Sequence, residues 1–310
     1  MLDALLSQTH GDVEIIVVDD GSTDDSREVL AEYGDRIVVE LQEQRGQSAA
    51  CNRAFALSRG EIVVFHDSDD LVYPDAAARL VESFADPAVT MVLGRLDVVD
   101  AEGRVSGAHR PPDGCPLWGG DLRPLLLERC SFFWPETTGQ AYRRSVVEAA
   151  MPIPDLTAPD FYFSYRGALA GRVVALVRPL ACYRAHGLNK SLMPLPQGVS
   201  WLEHRIEQRE QLHEMIRTRG RALGVFDDPE AADAWAPRDY ILASLCAARG
   251  RLRRAPGRWA RAADGVRAIV GHPQFRVAGQ ARHVAWFVGL AVLPRPLALR
   301  SIAHRFPLAR

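Results

Sequence analysis

The chain has 310 residues, about two average domains, with 47% apolar and 25% charged residues. This composition excludes a mostly disordered chain, a collagen-like chain and a polytopic membrane protein. The formal net charge is only −2, but residues 249–310 contain 13 Arg against the single acid Asp264, a net charge of +12. The five cysteines form no CxxC pair, which favours reduced cytosolic thiols over a zinc site or a disulfide framework.

Strands and helices alternate along the first third of the chain. Apolar and β-branched runs predict strands at 13–18, 36–41, 61–66 and 89–93. Helices are predicted between them at 24–33, 48–58 and 74–84. This alternation predicts an α/β fold with a doubly wound, mostly parallel sheet flanked by helices.

The remainder of the chain is less regular. A hairpin is predicted at 96–105, an irregular excursion at 111–135, a helix at 160–170, and strands at 172–177 and 181–183. Further helices are expected at about 200–219, 230–249 and 258–270, followed by an apolar segment with interspersed Arg at 274–304. No apolar stretch approaches the roughly 20 residues of a membrane-spanning helix, and residues 1–10 do not read as a signal peptide.

Two acidic clusters follow predicted strands. Asp19-Asp20-Gly21-Ser22 follows the first strand, and Asp67-Ser68-Asp69-Asp70 follows the third. Open α/β sheets bind ligands at the carboxyl ends of their strands. Residues two apart in an extended segment point the same way, so Asp67 and Asp69 can face one ligand. Their oxygens suit Mg²⁺ or Mn²⁺, although an acidic cap for the helix at Pro74 would explain them as well.

Three blocks of sequence carry a family resemblance. They are VEIIVVDDGSTD, QRGQSAACNRAFALSRGE and IVVFHDSDDLVYPD, in that order. Over residues 1–192 the chain resembles the family 2 glycosyltransferases of the GT-A fold. The resemblance implies a catalytic domain at 1–192 and leaves a helical, basic extension at 193–310. It also implies an inverting, hexosyltransferase-like enzyme that depends on a nucleotide-sugar and a divalent cation.

The resemblance assigns roles to particular residues. It implies nucleotide and donor contacts at Asp19, Asp20, Ser22, Asn52, Asp67, Asp69, Asp70, Thr138, Gly139 and Arg184. It implies metal ligands at Asp67, Asp69 and His186. Lys190 is a further candidate for phosphate contact. Where the family often has Arg-Asn, this chain has Cys51-Asn52.

An inverting transfer also needs a general base, which takes the proton of the acceptor hydroxyl. The family places this Asp at a helix start, roughly 80–100 residues past the paired aspartates. Asp160 lies 91 positions after Asp69 and matches it, with Asp155 as the fallback. An alternative role for Asp160 is to cap the helix that begins after Pro159.

The expected function is transfer of a sugar from a UDP-, GDP- or dTDP-sugar to a saccharide or lipid-linked acceptor, in bacterial polysaccharide or glycolipid synthesis. The alternatives are a sugar nucleotidyltransferase and a catalytically silent nucleotide-sugar-binding or scaffold protein. The basic, Trp-containing tail suits contact with an anionic membrane on the cytoplasmic side. A helical cap packed on the catalytic domain is the alternative, and no motif supports nucleic-acid binding.

The start of the chain also departs from the family pattern. Family members begin with a strand followed by a helix, and residues 5–10 resemble only the end of that helix. We therefore expect that the first strand is missing, and that the strand at 13–18 has an unpaired edge. Weak nucleotide binding or poor solubility should follow.

Overall fold

The computed structural model describes residues 1–129, 135–154, 159–186, 189, 218, 259, 263, 266, 270 and 277–292. The chain divides into two compact units, of which the first contains residues 1–113, 117–122 and 133–185 and the second the remainder. The helices predicted at about 200–219, 230–249 and 258–270 lie outside the described residues except at isolated positions. Asp155 and Lys190 lie outside them as well. The predicted domain boundary at residue 192 stays a prediction.

The chain begins with a small parallel sheet. Its elements are α1 (Leu2–Leu6), β1 (Ile16–Asp20), α2 (Ser26–Ala31), β2 (Val38–Gln42) and α3 (Gln47–Leu57). β1 pairs in parallel with β2, and Leu2, Ile15 and Ile37 form the buried core. Among the described strands, β2 is the only partner of β1. The weak nucleotide binding expected from an unpaired edge stays a prediction.

A second, seven-stranded sheet makes up most of the first unit. Its strands are β3 (Ile62–Val64), β4 (Leu71–Val72), β5 (Val89–Val99), β6 (Val105–Arg110), β7 (Gly120–Asp121), β8 (Gln140–Arg143) and β9 (Arg172–Arg184). The remaining helices are α4 (Ala76–Ser83), α5 (Arg123–Arg129), α6 (Arg144–Glu148), α7 (Pro159–Ala170) and α8 (Val277–Val292). The strand order is β3-β8-β5-β9-β4, with β6 paired to β5 and β7 to β9.

The large sheet is mixed rather than mostly parallel. β5 and β9 pair in parallel, but β8 runs antiparallel between β3 and β5. β6 is antiparallel because it returns through the tight turn at residues 100–103, as predicted. The two strands predicted at 172–177 and 181–183 form one strand, β9. The gap predicted between these two strands corresponds to a shift in the register of β9 with β5, between Leu176 and Ala181.

Apolar packing joins the helices to this sheet. Ala76, Leu80 and Phe84 of the α4 region share a buried cluster with Val92 and Leu180. Directly after β3, Phe65 stacks on Phe163 of α7 with ring centroids 4.8 Å apart. These contacts fix α7 beside the end of β3, where the acidic residues lie.

In the second unit, α8 has 16 residues, with Phe287 buried and Val288 and Val292 exposed. Within the described part of the chain, no helix has both the length and the apolar character needed to cross a membrane.

Candidate active site

The two aspartates at the end of β1 hold the loops around them. Asp20 accepts hydrogen bonds from the Gln42 side chain at 2.6 Å and from the N–H groups of Arg45 and Gly46 at 2.7 and 2.8 Å. Burial raises the pKa of Asp20, but these hydrogen bonds outweigh it and hold the pKa below its usual value. Asp20 therefore fixes the loop that follows β2 while remaining ionised.

Asp19 holds the opposite loop. Its carboxylate accepts the N–H of Ser22 at 3.2 Å and pairs with Arg27 at 2.8 Å. The hydrogen bonding of Ser22, with the contribution of Arg27, keeps the pKa of Asp19 low despite burial. The predicted contact of Asp19 or Asp20 with a nucleobase stays a prediction.

An open cavity of about 480 Å³ lies between these two loops. It is lined by Gly21, Arg27, Leu41, Gln42, Glu43 and Gln44. Gly21 has a φ of +82°, and a Cβ at this position would lie 2.8 Å from the backbone nitrogen of Gln44. Only glycine therefore allows the two loops to approach so closely.

The acidic loop after β3 is held from two other elements. The buried carboxylate of Asp70 accepts the Thr138 hydroxyl at 2.6 Å and the N–H of Arg184 at 2.9 Å. Thr138 also accepts the N–H of Asp67 at 3.2 Å. Asp70 and Thr138 thus support the loop that carries Asp67 and Asp69.

Gly139, next to Thr138, allows a close approach of backbones. A Cβ on Gly139 would lie 2.9 Å from the carbonyl oxygen of Gly94 and 2.7 Å from Pro135. Thr138 and Gly139 were predicted to line the cleft for the sugars. The structure gives both a part in holding the cleft wall, and a direct contact with sugar stays a prediction.

Arg184 spans the same loop. Its guanidinium donates to the carbonyl oxygens of Asp69 and Ala101, each at 2.7 Å. The family resemblance predicts that Arg184 contacts the donor phosphates. In the structure it holds the backbone of Asp69, which indicates a positioning role.

Replacing Arg184 with lysine tests this positioning role. Lysine keeps the charge but cannot bridge the two carbonyl groups, so we expect the free energy of unfolding to fall by about 1–3 kcal/mol. The matched control is Arg178→Lys, because Arg178 is 74% exposed and pairs with Asp75 at the surface. Denaturant unfolding measures both variants. Loss of nucleotide-sugar binding with unchanged stability would instead indicate a donor contact.

Several negative charges of the site act on the carboxylate of Asp67. Burial, followed by the charges of Asp70 and Asp69, raises the pKa of Asp67 to about 7. The charge of Asp160 contributes in the same direction, so α7 brings Asp160 close to the acidic loop. Two carboxylates 93 positions apart in the sequence thus come close enough for their charges to interact.

Cys51 on α3 lies in the same region. Burial, followed by the charges of Asp67 and Asp160, raises the pKa of its thiol to about 12. The thiol is therefore protonated at neutral pH and is a poor nucleophile. A neutral side chain stands here where the family often has arginine.

A buried hydrogen-bond network sets the start of α7. Gln140 donates to the carbonyl oxygen of Pro135 at 2.8 Å and accepts the hydroxyls of Tyr142 and Ser164. The same Ser164 hydroxyl lies 2.7 Å from the backbone carbonyl oxygen of Asp160, so its single proton is shared between the two acceptors. Because Gln140 and Ser164 are buried, this network holds the backbone of Asp160 firmly.

Asn52 connects α3 to the segment before α7. Its amide donates to the carbonyl oxygen of Ile153 at 2.9 Å and accepts the Ile153 N–H at 2.8 Å. This reciprocal pair joins two parts of the chain that lie 101 residues apart. The predicted donor contact of Asn52 stays a prediction beside this structural role.

The structure adds two residues that the sequence analysis did not assign to the site. His66 Nδ1 lies 2.8 Å from the carbonyl oxygen of Asp67, which can only accept, so Nδ1 carries the proton. Glu136, just before Thr137, is acted on by the charges of Asp70 and Asp160. Glu136 lies far in sequence from the acidic residues 67–70 and meets them only through the tertiary structure. No local sequence motif predicts this proximity.

The carboxylate oxygens of Asp67 and Asp69 fit a hard divalent cation, because Mg²⁺ and Mn²⁺ prefer oxygen ligands. Among the described residues, no three His, Cys, Asp or Glu side chains are placed to hold a metal ion by themselves. A cation at Asp67 and Asp69 would therefore take its other ligands from phosphates or water. His186 belongs to the second unit, where its N–H bonds to the Asn189 side chain. Its role as a metal ligand stays a prediction.

Comparisons with known proteins show what the chain is similar to. Residues 1–149 match the family model described as glycosyl transferase family 2. The chain is 35% identical over 199 residues to the uncharacterized glycosyltransferase alr2836 of Nostoc sp. (strain PCC 7120), covering 62% of this chain and 61% of that protein. It is 33% identical over 105 residues to the succinoglycan biosynthesis protein ExoO of Rhizobium meliloti (strain 1021), covering 33% and 30%. The chain thus spans less than two thirds of these curated relatives.

The fold is similar to that of a solved structure, S. aureus TarS residues 1–349 in complex with UDP-GlcNAc. The TM-score is 0.51 at 16% identity, with 99% of this chain and 84% of that chain covered. The predicted α/β class and GT-A type are confirmed.

Proposed function

We propose, on the premise that residues 1–149 belong to glycosyltransferase family 2, that the chain transfers a sugar from a nucleotide-sugar to an acceptor hydroxyl with inversion. The main support for this proposal is that the carboxylates of Asp67 and Asp160 lie close to each other. One belongs to the loop after β3 and the other to the first turn of α7, yet their charges act on each other. A donor-binding carboxylate and a base must meet in this way around one anomeric carbon.

The transfer is a single displacement. The acceptor oxygen forms a bond to the anomeric carbon while the bond from that carbon to the diphosphate breaks. Asp160 takes the proton of the attacking hydroxyl, and the electron pair of the broken bond leaves with the diphosphate. Attack on the face opposite the leaving group inverts the anomeric configuration.

Asp67 and Asp69 are the residues that would hold a divalent cation, Mn²⁺ or Mg²⁺. Such a cation, when bound, offsets the negative charge that accumulates on the leaving diphosphate. Asp70, Thr138 and Arg184 keep the two carboxylates in place through the hydrogen bonds described above.

The nucleoside is assigned to the cavity between the β1 and β2 loops. The cavity lies beside Asp19 and Asp20, at the carboxyl ends of two parallel strands, where α/β sheets bind nucleotides. UDP-, GDP- and dTDP-sugars are the candidate donors. Binding of UDP-GlcNAc by TarS, a protein of similar fold, makes UDP-sugars the first to test.

The acceptor is a saccharide or a lipid-linked saccharide in bacterial polysaccharide or glycolipid synthesis. The similarity to a succinoglycan biosynthesis protein supports the polysaccharide setting. The net charge of +12 in residues 249–310 supports a position at the anionic cytoplasmic face of the membrane.

Vesicle binding tests this membrane contact. The full chain should sediment with vesicles of anionic phospholipid at low salt and be released as salt rises, because the attraction is electrostatic. Vesicles of phosphatidylcholine alone are the control. Equal sedimentation with both vesicles, or with neither, would contradict membrane contact through the basic tail.

Product analysis tests the proposed reaction. The chain is incubated with Mn²⁺, UDP-, GDP- and dTDP-sugars and saccharide acceptors, and the released phosphate species are identified. We expect a nucleoside diphosphate. Pyrophosphate release from a nucleoside triphosphate and a sugar phosphate would identify a nucleotidyltransferase instead. If the chain binds the nucleotide-sugar but releases neither a nucleoside diphosphate nor pyrophosphate, it is a catalytically silent binding protein.

A further inference from the structure

Glu136 is a carboxylate that the reaction described above does not use. It directly precedes the 3₁₀ turn Thr137–Gly139. Thr137 interacts with Asp67, and Thr138 donates to Asp70. The turn is thus bound to the acidic loop at two successive residues, which holds the backbone of Glu136 against the site.

The two carboxylate oxygens of Glu136 differ in their surroundings. Oε1 lies 3.6 Å from a guanidinium nitrogen of Arg110. Oε2 is buried and has no hydrogen-bond partner in the part of the chain that the structure describes. Burial raises the pKa of Glu136 even though Arg110 acts against it. Because buried acceptors are almost always bonded, an unsatisfied carboxylate oxygen in a site indicates a missing donor.

The surroundings of Glu136 limit what can supply that donor. The charges of Asp70 and Asp160 act on Glu136 in the same direction as its burial. This negative environment disfavours an approaching phosphate, and the diphosphate is assigned to Asp67 and Asp69. A neutral group with an O–H, such as a sugar hydroxyl, satisfies Oε2 without adding negative charge.

Arg110 keeps Glu136 in position. Its guanidinium lies over the ring of Tyr183, 5.4 Å from the centroid, and it is 29% exposed. Held in this way, Arg110 fixes one side of the carboxylate and leaves Oε2 for a ligand.

We propose that Glu136 accepts a hydrogen bond from a hydroxyl of the sugar bound beside Asp160, and that it selects among sugars in this way. This inference rests on the proposed function. The hydroxyl belongs either to the transferred sugar or to the acceptor, since both meet at Asp160. A site built to hydrogen-bond a hydroxyl discriminates strongly against a substrate that lacks it.

The melting temperature of the ligand-free chain gives the first test, with Glu136→Gln as the variant. If Glu136 is reserved for a ligand, removal of its partly buried charge should raise the melting temperature by about 2 °C or more. If Glu136 is a structural partner of Arg110, the melting temperature should fall, which would overturn the proposal. The matched control is Glu148→Gln, because Glu148 is 55% exposed and paired with Arg144 on α6.

Steady-state kinetics give the second test. We expect Glu136→Gln to lower kcat/KM at least about tenfold, with UDP binding unchanged. A rise in KM for the donor would identify the transferred sugar, and a rise in KM for the acceptor would identify the acceptor. An active wild-type chain with an equally active variant would overturn this inference alone. An inactive wild-type chain would contradict the proposed function, and the melting temperatures would still test Glu136.

Discussion

Replacing Asp160 with asparagine is expected to lower sugar transfer at least about 100-fold, while nucleotide-sugar affinity stays within a factor of about two. Asparagine preserves the shape of the side chain but cannot take the proton of the acceptor hydroxyl, and general-base catalysis contributes roughly 10²- to 10⁴-fold. Asp160 lies in the first turn of α7, and its backbone carbonyl is held by Ser164. Nucleoside diphosphate release and isothermal titration with the donor measure the two quantities.

The control separates catalysis from helix capping. Asn is as good a helix cap as Asp, so a capping role predicts little change in stability or rate. Asp25→Asn provides the comparison, because Asp25 precedes α2 and is exposed. If Asp160→Asn retains wild-type transfer, Asp160 is a structural residue and the base lies elsewhere.

Replacing Asp69 with alanine is expected to reduce transfer to background and to abolish metal-dependent nucleotide binding. The substitution removes one of the two carboxylates proposed to bind the cation. Among the described residues, no group of three His, Cys, Asp or Glu side chains is placed to hold the ion without it. The fold should remain intact, because Arg184 bonds the backbone carbonyl of Asp69, which alanine retains.

Thermal shifts measure this second prediction without any acceptor. For the wild-type chain, nucleotide at 100 times its dissociation constant with Mn²⁺ should add about 2.7 kcal/mol of stability. Asp69→Ala should show the same melting temperature without ligand and no metal-dependent shift. The control is Asp35→Ala, because Asp35 is an exposed residue of a 3₁₀ turn. Its melting temperature should rise with nucleotide and Mn²⁺ as much as that of the wild type. A normal shift in Asp69→Ala would remove the metal assignment.

The acidic clusters of the site could be found from sequence because their signals are local. Runs of β-branched residues followed by acidic clusters predict ligand-facing carboxylates at strand ends. In the structure β1 ends at Asp20, and β3 ends at Val64, shortly before Asp67. Spacing alone could not identify Asp160, which is also a plausible helix cap. Its assignment as the base comes from the family resemblance and stays a prediction, while the structure brings its charge close to Asp67.

The supporting contacts could not be predicted because they join distant parts of the chain. Asn52 pairs with Ile153, and Arg184 bonds Asp69, over separations of 101 and 115 residues. Such partners follow from the pairing of β9 and β8 with the rest of the sheet. The alternation of strands and helices predicts the layers of a fold, but it does not predict strand direction. For the same reason, Glu136 was not recognised from sequence.

A crystal structure of the chain with Mn²⁺ and the nucleotide-sugar that it turns over fastest tests the central claim most directly. We predict the nucleoside in the cavity lined by Gly21, Arg27 and Gln42, and the diphosphate at Asp67 and Asp69. The anomeric carbon should face Asp160. A nucleotide-sugar bound away from the acidic loop, or with its anomeric carbon turned from Asp160, would contradict the assignment of these residues to one transferase site.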